Sequence, residues 1–366
     1  MPAKLFTPFN LGQLTLSNRI VIAPMCTYSA SEGCANDWHV IHYGGLALSG
    51  AGLLTIEATA VAPEGRITYG DIGLWNDDCE AALGKVLASV RRWSDMPVAI
   101  QIAHAGRKAS TDLPWNGGAQ LPPGSEHGWQ TVSSSAQPFE AGENAPVSLD
   151  RDGLKRIREA FAEAAKRAVR LGFDAIQVHS AHGYLLHQFL SPLANTRDDE
   201  YGGGLENRLR FPLEVFDAMR EAVPDKIPLT ARMSGTDWVD GGWDIDQTVA
   251  YAKALEARGC TAIHISSGGL SLLQKIPLGP NYQVPLARAV KQAVKIPVVT
   301  VGLITEAQQA EAIVGTGDAD LVAVARAVLY DPRWPWHAAA ALGARVKAAP
   351  QYLRSAPRSA PDLFKA

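Results

Sequence analysis

Short apolar runs alternate along the chain with longer segments of helical periodicity. Runs rich in Val, Ile and Leu, without polar alternation, are typical of strands buried on both faces of a parallel sheet. Eight such strands are predicted, at residues 20–23, 53–61, 98–103, 175–179, 228–233, 262–266, 297–301 and 321–325. Helices are predicted between them, at residues 77–93, 150–171, 206–222, 245–258, 285–293 and 306–314. Asp150 is a good N-cap for the second of these helices, and Gly172 a good C-terminal stop.

Eight strands that alternate with helices predict an α/β fold, a (β/α)8 TIM barrel in one domain over residues 1–346. An open doubly wound sheet would carry a glycine-rich fingerprint directly after a strand, and the nearest match, at residues 315–320, precedes one instead. Residues 111–137 form a long loop rich in Gly, Pro and Ser that we expect to border the pocket. Residues 347–366 are a tail rich in Pro and Ala.

Composition and charge narrow the functional classes. The chain has 366 residues, 47% hydrophobic and 19% charged, with a formal net charge of −3, so we expect no nucleic-acid partner. Its four cysteines are scattered, without metal-binding or disulfide-framework spacing, which fits a reducing compartment. Every apolar run is too short or too interrupted to span a bilayer, and we expect a cytoplasmic location with no membrane partner.

Polar and redox-capable side chains follow the predicted strands, where barrel enzymes carry their chemistry. The ends of the seventh and eighth strands commonly bind a phosphate. There, Gly302 would allow close approach of the backbone and Arg326 would supply a positive charge. The alternative is a glycine turn beside a surface arginine.

His179 and His182 follow the fourth strand, and three interpretations of the pair remain open. They are structural histidines, metal ligands, or neutral imidazoles that donate hydrogen bonds to an electron-rich oxygen. Residues three apart on a strand point to opposite faces, so the chain must leave the strand near His179 if both are to face one pocket. Gly183 is compatible with such a turn. A zinc site would need a third ligand, for which His187 is the only near candidate.

Six motifs, in order along the chain, resemble those of the Old Yellow Enzyme family, and most closely its thermophilic-like branch, which includes xenobiotic reductases. The resemblance runs from about residue 4 to about residue 354. The motifs are Pro24-Met25-Cys26-x-Tyr28, Glu57-Ala58, Gln101-x-x-His104-x-Gly106-Arg107, His179-x-x-His182-Gly183-Tyr184, Asp199-x-Tyr201-Gly202-Gly203-x-x-Glu206-Asn207-Arg208, and Arg326.

The resemblance implies an FMN at the mouth of the barrel, reduced by NADPH or NADH. An α,β-unsaturated carbonyl or a nitro compound would reoxidise it, by ping-pong hydride transfer through flavin N5. His179 and His182 would bind the carbonyl or nitro oxygen of this small-molecule substrate. Tyr184 would donate the proton to the α-carbon.

The resemblance also implies the other site residues. Tyr28 would line the substrate pocket, and Arg354 would enter the active site of a neighbouring subunit, which implies a homodimer or homotetramer. The chain departs from some relatives in having Ala325 before the phosphate-site arginine and in continuing past Arg354. The residues implied for FMN binding are Ala23, Pro24, Met25, Cys26, Ala58, Gln101, Arg232, Gly302, Ala325 and Arg326.

Two other functions remain as alternatives. The chain could bind flavin without turnover, or it could be a phosphate-binding barrel isomerase or aldolase. Related flavin barrels that reduce dienoyl thioesters or RNA uridine would add an iron–sulfur cysteine cluster or a basic surface, and the sequence has neither pattern. We therefore predict an FMN-dependent NAD(P)H oxidoreductase that reduces activated C=C bonds.

Overall fold

The computed structural model describes residues 3–365. Its strands are β1 (Phe9–Leu11), β2 (Leu14–Leu16), β3 (Ile20–Ile22), β4 (Leu53–Ala60), β5 (Val98–Ala103), β6 (Val132–Ser133), β7 (Val147–Ser148), β8 (Ala175–Ser180), β9 (Leu229–Ser234), β10 (Ile263–Ser266), β11 (Val298–Thr300), β12 (Leu321–Val324), β13 (Val346–Lys347) and β14 (Phe364–Lys365). Its α-helices are α1 (Asp37–Ala47), α2 (Asp77–Arg91), α3 (Arg151–Leu171), α4 (Leu185–Leu190), α5 (Leu205–Ala222), α6 (Ile245–Glu256), α7 (Val284–Ala293), α8 (Ala307–Thr316), α9 (Arg326–Tyr330) and α10 (Trp334–Ala341).

Eight parallel strands close into a barrel in the order β3, β4, β5, β8, β9, β10, β11 and β12. Closure is complete because β12 pairs with β3 in parallel, with Val322 opposite Ile20. The predicted (β/α)8 barrel is therefore confirmed, and each of the eight predicted strands is found to within two residues at either end.

The apolar residues form two layers. Outside the barrel, strand side chains pack against the surrounding helices in one large cluster that includes Phe161 of α3 and Phe216 of α5. Inside the barrel, a smaller cluster joins residues near the beginnings of the strands, such as Ala99 and Ala175, to Leu11 and Leu16 of the β1–β2 hairpin. The hairpin therefore covers the amino-terminal end of the barrel, and the carboxyl ends of the strands are left to form the site.

Local sequence sets the ends of the helices. The Asp150 side chain accepts a hydrogen bond of 2.8 Å from the Gly153 backbone N–H, and Gly172 ends α3 at φ 80°. Both roles were predicted, because a carboxylate satisfies a free N–H at a helix start and glycine adopts the left-handed conformation at little energetic cost. The pattern did not predict α4, α9 and α10, the hairpin or the short strand pairs.

The tail folds back on the barrel. Strand β14 pairs with β13, and the Phe364 ring centroid lies 4.8 Å from that of Trp336 in α10. Residues 1, 2 and 366, which belong to the predicted domain and tail, lie outside the described residues. Between residues 3 and 365, no helix is both long enough and apolar enough to cross a membrane.

Candidate active site

Buried polar side chains occupy neighbouring strands toward the carboxyl end of the barrel. Gln101 of β5 lies opposite Gln177 of β8 in the strand register, and their side chains share a hydrogen bond of 2.8 Å. Arg232 of β9 lies opposite His179 of β8 on one side and His264 of β10 on the other. Parallel pairing therefore gathers amide, imidazole and guanidinium groups in one buried layer.

A left-handed turn ends β8 and determines where the histidines point. His182 and Gly183 have φ angles of 59° and 73°. Glycine is required at the second position, because a Cβ there would lie 2.3 Å from the backbone oxygen of Gly269. With this turn the ring centroids of His179 and His182 are 5.2 Å apart, and His179 Nε2 lies 3.5 Å from His182 Nδ1. Both imidazoles thus face the same pocket. This agrees with the three-residue spacing, which allows a shared pocket only if the chain leaves the strand near His179.

Both histidines are held neutral. Burial, and then the positive charge of Arg232, lower their pKa values well below the usual range. His187 does not join them, because its Nδ1 accepts a hydrogen bond of 2.9 Å from the Gly183 backbone N–H. Across residues 3–365 there is no group of three side chains placed to hold a metal ion.

Tyr184 stands beside the histidine pair. Its ring centroid is 5.0 Å from that of His179. Burial and the nearby Cys26 and Asp71 raise the pKa of its hydroxyl, so the phenol keeps its proton at neutral pH. Tyr28 is likewise kept neutral by burial, and its backbone is in the left-handed region at φ 50°.

Lys108 is a site residue that the sequence interpretation missed. Its ammonium donates hydrogen bonds to the backbone oxygens of His182 (3.0 Å) and Gly269 (2.8 Å) and lies 5.1 Å from the Tyr184 ring centroid. Burial, and then the charge of Arg107, lower the pKa of this lysine to about 8. Its position directly after the Gly106-Arg107 motif was the available signal, but an Arg-Lys pair usually marks a solvated surface.

The segment around Cys26 is held by a buried carboxylate. The register of β4 against β5 shifts between Ile56 and Ala58, which leaves Glu57 as a bulged residue. Its side chain accepts hydrogen bonds from the backbone N–H and hydroxyl of Thr27 and from the Tyr43 hydroxyl, at 2.7 to 2.9 Å. Glu57 therefore fixes the backbone on which the Cys26 thiol is mounted. Burial, and then the negative charge of Asp71, raise the pKa of that thiol, which keeps it protonated.

Arg232, Gly302 and Ala325 are further residues expected to bind the cofactor, and their charge and backbone conformation bear on what they can hold. Arg232 is buried, and its Nε has no hydrogen-bond partner within residues 3–365. Burial lowers its pKa to about 10, and the guanidinium therefore stays charged at neutral pH. A buried charge with an unpartnered nitrogen costs free energy unless a ligand supplies the missing partner. Gly302, at φ 116°, leaves no room for a Cβ, which would lie 2.3 Å from Gln283 Nε2. Ala325 has φ −121°, so it needs no glycine. The unpartnered buried charge of Arg232 fits an anionic group.

The 111–137 loop lies beside Tyr28, whereas the segment that carries Arg354 packs near Trp336 of α10. The Trp115 ring of the loop meets the edge of the Tyr28 ring at a centroid distance of 6.5 Å. Arg354 lies in a short helix, Pro350–Ser355, and is exposed in the single chain. The Tyr352 ring of that helix packs 5.8 Å from Trp336.

Comparison with known proteins identifies the family of the chain. Residues 4–344 match the model of a family described as NADH:flavin oxidoreductase / NADH oxidase. An NADPH dehydrogenase of Geobacillus sp. (strain WCH70) is 40% identical over 356 residues, which are 97% of this chain and 99% of that protein. An NADH:flavin oxidoreductase of Gibberella zeae is 40% identical over 365 residues, or 95% of this chain and 88% of that protein.

Solved structures show the same architecture. Morphinone reductase in complex with tetrahydroNAD superposes with a TM-score of 0.76 at 28% identity, over 99% of this chain and 94% of that one. A 2-naphthoyl-CoA reductase in complex with 2-naphthoyl-CoA reaches a TM-score of 0.83 at 25% identity over 94% of this chain. The chain spans 53% of that larger protein.

We predict that Glu57 gives the folded protein a pH-dependent stability. Burial, opposed by the hydrogen bonds from Thr27 and Tyr43, raises its pKa from 4.5 to about 7. Between about pH 4.5 and pH 7 the folded state holds this proton while the unfolded chain loses it, so stability falls as pH rises. The stability that the raised pKa of Glu57 contributes is fully present below pH 4.5, and above pH 7 it is lost and changes no further.

The measurement is the free energy of unfolding of wild type and Glu57→Gln in denaturant at several pH values. The advantage of wild type over the variant should shrink by up to about 3 kcal/mol across that window. Glu221→Gln, on the exposed face of α5, is the matched control and should show no such trend. A difference that grows with pH would contradict the assignment.

Proposed function

Because the chain belongs to the NADH:flavin oxidoreductase / NADH oxidase family, we propose that it reduces the activated C=C bond of α,β-unsaturated carbonyl compounds, with nitro compounds as a second substrate class. It is an FMN-dependent NADPH dehydrogenase, which sets aside the isomerase or aldolase alternative. The observation that carries the substrate proposal is the convergence of two neutral imidazoles and a protonated phenol at the end of β8.

The cofactor is held by residues from several strands in this proposal. Bound FMN supplies the hydride chemistry between NADPH and the substrate. Arg232, whose buried charge lacks a partner at Nε, would hold the isoalloxazine together with Gln101 and would stabilise negative charge on the reduced ring. The residues that would line the ring are Ala23, Pro24, Met25, Cys26 and Ala58. Gly302, Ala325 and Arg326 would hold the phosphate through backbone N–H groups and the exposed guanidinium.

The hydrogen bonds around the histidines assign their protons. The Ala181 backbone N–H donates to His179 Nδ1 at 3.3 Å, so the proton of this neutral ring is on Nε2. The Ser266 hydroxyl lies 2.7 Å from His182 Nε2 and 3.4 Å from Gln283 Oε1. In this proposal its one proton goes to the nearer His182 Nε2, so the proton of His182 is on Nδ1. The two N–H groups are those separated by only 3.5 Å. Two donors this close match one acceptor, the carbonyl or nitro oxygen, on which negative charge grows during reduction.

Tyr184 delivers the proton in this proposal. Its raised pKa keeps the phenol protonated until a strongly basic α-carbon appears. The ammonium of Lys108, near the ring, favours the phenolate that remains after the transfer. Tyr28 and the 111–137 loop confine the substrate on the other side.

The thiol of Cys26 and the exposed Arg354 complete the proposal. A neutral thiol beside the flavin tunes its reduction potential through its dipole, and it does not act as a nucleophile. Arg354, which is exposed in the single chain, enters the site of a second copy, so that the working unit is a homodimer or homotetramer.

The proposed substrate class is tested by anaerobic titration of the purified yellow protein. NADPH should bleach the flavin absorbance, and 2-cyclohexenone or a nitroalkene should restore it, whereas the saturated ketone should not. A flavin that NADPH does not bleach would mean binding without turnover. Bleached protein that neither compound reoxidises would refute the substrate class while leaving the cofactor assignment intact.

The roles of the three site side chains are separable. Tyr184→Phe should slow reoxidation by the enone by about 100-fold or more, since a positioned general acid contributes that much, while reduction by NADPH stays unchanged. His179→Ala combined with His182→Ala should weaken the binding of a phenol by about 100-fold or more, because it removes two hydrogen bonds to a charged oxygen.

Rapid-mixing kinetics of the two half-reactions and a ligand titration provide the readouts. Tyr330→Phe and His337→Ala, both on the surface, are matched controls and should change neither quantity. If the tyrosine variant lost phenol binding and the histidine variant lost only reoxidation, the two roles would be reversed.

A further inference from the structure

We propose that His187 and Asp237 are positioning residues, which set the left-handed turn at His182 and Gly183 and through it the place of Tyr184. The inference rests on the proposed role of Tyr184 as proton donor. Both side chains are fully buried, with no solvent-exposed surface. Neither side chain lines the histidine pair, and the mechanism above uses neither of them.

His187 contacts the backbone of the turn directly. It lies in the first turn of α4, and its Nδ1 accepts a hydrogen bond of 2.9 Å from the Gly183 N–H. The carbonyl of Gly183 is held as well, because Gln188 Nε2 donates to it at 2.7 Å. Both peptide groups that flank Gly183 are therefore fixed by consecutive side chains of α4, one residue before Tyr184.

Asp237 decides which tautomer His187 adopts. Its Oδ1 lies 3.0 Å from His187 Nε2, at an angle outside linear hydrogen-bond geometry, and neither atom has another partner among residues 3–365. Its Oδ2 accepts hydrogen bonds from the Ser191 hydroxyl (2.6 Å) and the Trp243 backbone N–H (2.8 Å). Burial opposes the charge of Asp237, but His187 and these donors lower its pKa overall, so it is a carboxylate. A carboxylate beside Nε2 keeps the proton there and leaves Nδ1 free to accept from Gly183.

The turn needs such support because it is strained. His182 is not a glycine and yet has a left-handed backbone, at φ 59°, and neighbouring contacts must offset the strain of this conformation. The backbone N–H of His182 donates to Ser234 Oγ at 3.0 Å, and its carbonyl accepts from Lys108. These contacts hold His182, and Lys108 shares with His187 the peptide group before Gly183. The peptide group after Gly183 is held by Gln188 and by the Tyr184 N–H, which donates to the Ala181 carbonyl at 3.2 Å. Because the His182 backbone keeps its own contacts when the His187 contact is lost, we expect Tyr184 to move more than the histidine pair.

Isosteric variants separate the two halves of the imidazole. His187→Asn keeps an acceptor at the position of Nδ1 and loses the group that faces Asp237. His187→Gln keeps a donor at the position of Nε2 and loses the acceptor for Gly183. Asp237→Asn is the sharpest change. The oxygen of the new Asn must stay with the Trp243 N–H, so its NH2 group faces His187 Nε2. His187 Nε2 then has to accept a hydrogen bond, and the imidazole proton moves to Nδ1. The Nδ1–H of His187 and the N–H of Gly183 are then two donors that face each other.

We expect Asp237→Asn and His187→Gln to slow reoxidation by the enone about 10- to 100-fold, the effect of a misplacement of about 1 Å, with reduction by NADPH unchanged. His187→Asn should behave as wild type. Ser191→Ala removes another partner of Asp237 without altering the tautomer, so it should leave both half-reactions unchanged and serves as the control for lost stability. In a Tyr184→Phe background, Asp237→Asn should slow reoxidation no further, because a positioning residue acts only through the group it positions.

Amide hydrogen exchange at Gly183 gives a readout that does not depend on turnover. Exchange should accelerate in Asp237→Asn and His187→Gln and stay slow in His187→Asn. Equal behaviour of Asp237→Asn and His187→Asn, or unchanged exchange at Gly183 in Asp237→Asn, would overturn the proposal. If Tyr184→Phe alone left reoxidation unchanged, the proton-donor assignment would fail, while the exchange measurement would still decide the role of His187 and Asp237.

Discussion

The carboxyl end of β8 turns left-handed at His182 and Gly183, and the site depends on that turn. Without it, His179 and His182 would lie on opposite faces of an extended strand. With it, their facing nitrogens are 3.5 Å apart and Tyr184 packs against His179. The turn is possible because Gly183 has no Cβ to meet the Gly269 backbone, and because Lys108, Ser234, His187 and Gln188 satisfy its peptide groups.

The same buried setting fixes the charge states of the site. Arg232 and Lys108 are positive beside the histidines and add to burial in keeping both imidazoles neutral. Toward β4, Glu57 and Asp71 lie near Cys26 and help keep the thiol protonated. In the proposed mechanism, neutral donors would therefore face the substrate oxygen, and the guanidinium of Arg232 would remain for the cofactor. One pocket would then offer a cationic edge to the flavin and uncharged hydrogen-bond donors to the substrate.

The sequence predicts the barrel well and the details of the site less well. Continuous apolar strands such as 98–103 are recognisable because both faces of a parallel barrel strand are buried. Segment 185–190 is fully buried, and its two polar residues, His187 and Gln188, are as buried as its apolar ones, so the sequence shows no helical periodicity and α4 was missed. The bulge at Glu57 depends on the register between two strands, which lies outside any local pattern. Lys108 was missed because only tertiary packing shows that its ammonium binds backbone oxygens of two different loops.

The central claim is that the turn after β8 gives His179 and His182 one shared acceptor and places Tyr184 over a different atom of the substrate. The most direct measurement is a crystal structure of the FMN-loaded protein with a bound α,β-unsaturated ketone or a phenol. The account predicts one ligand oxygen within hydrogen-bond distance of both His179 Nε2 and His182 Nδ1, and the Tyr184 hydroxyl on the face of the ligand opposite the flavin. A ligand oxygen bound by Tyr184 alone, or histidines that contact different atoms, would contradict it.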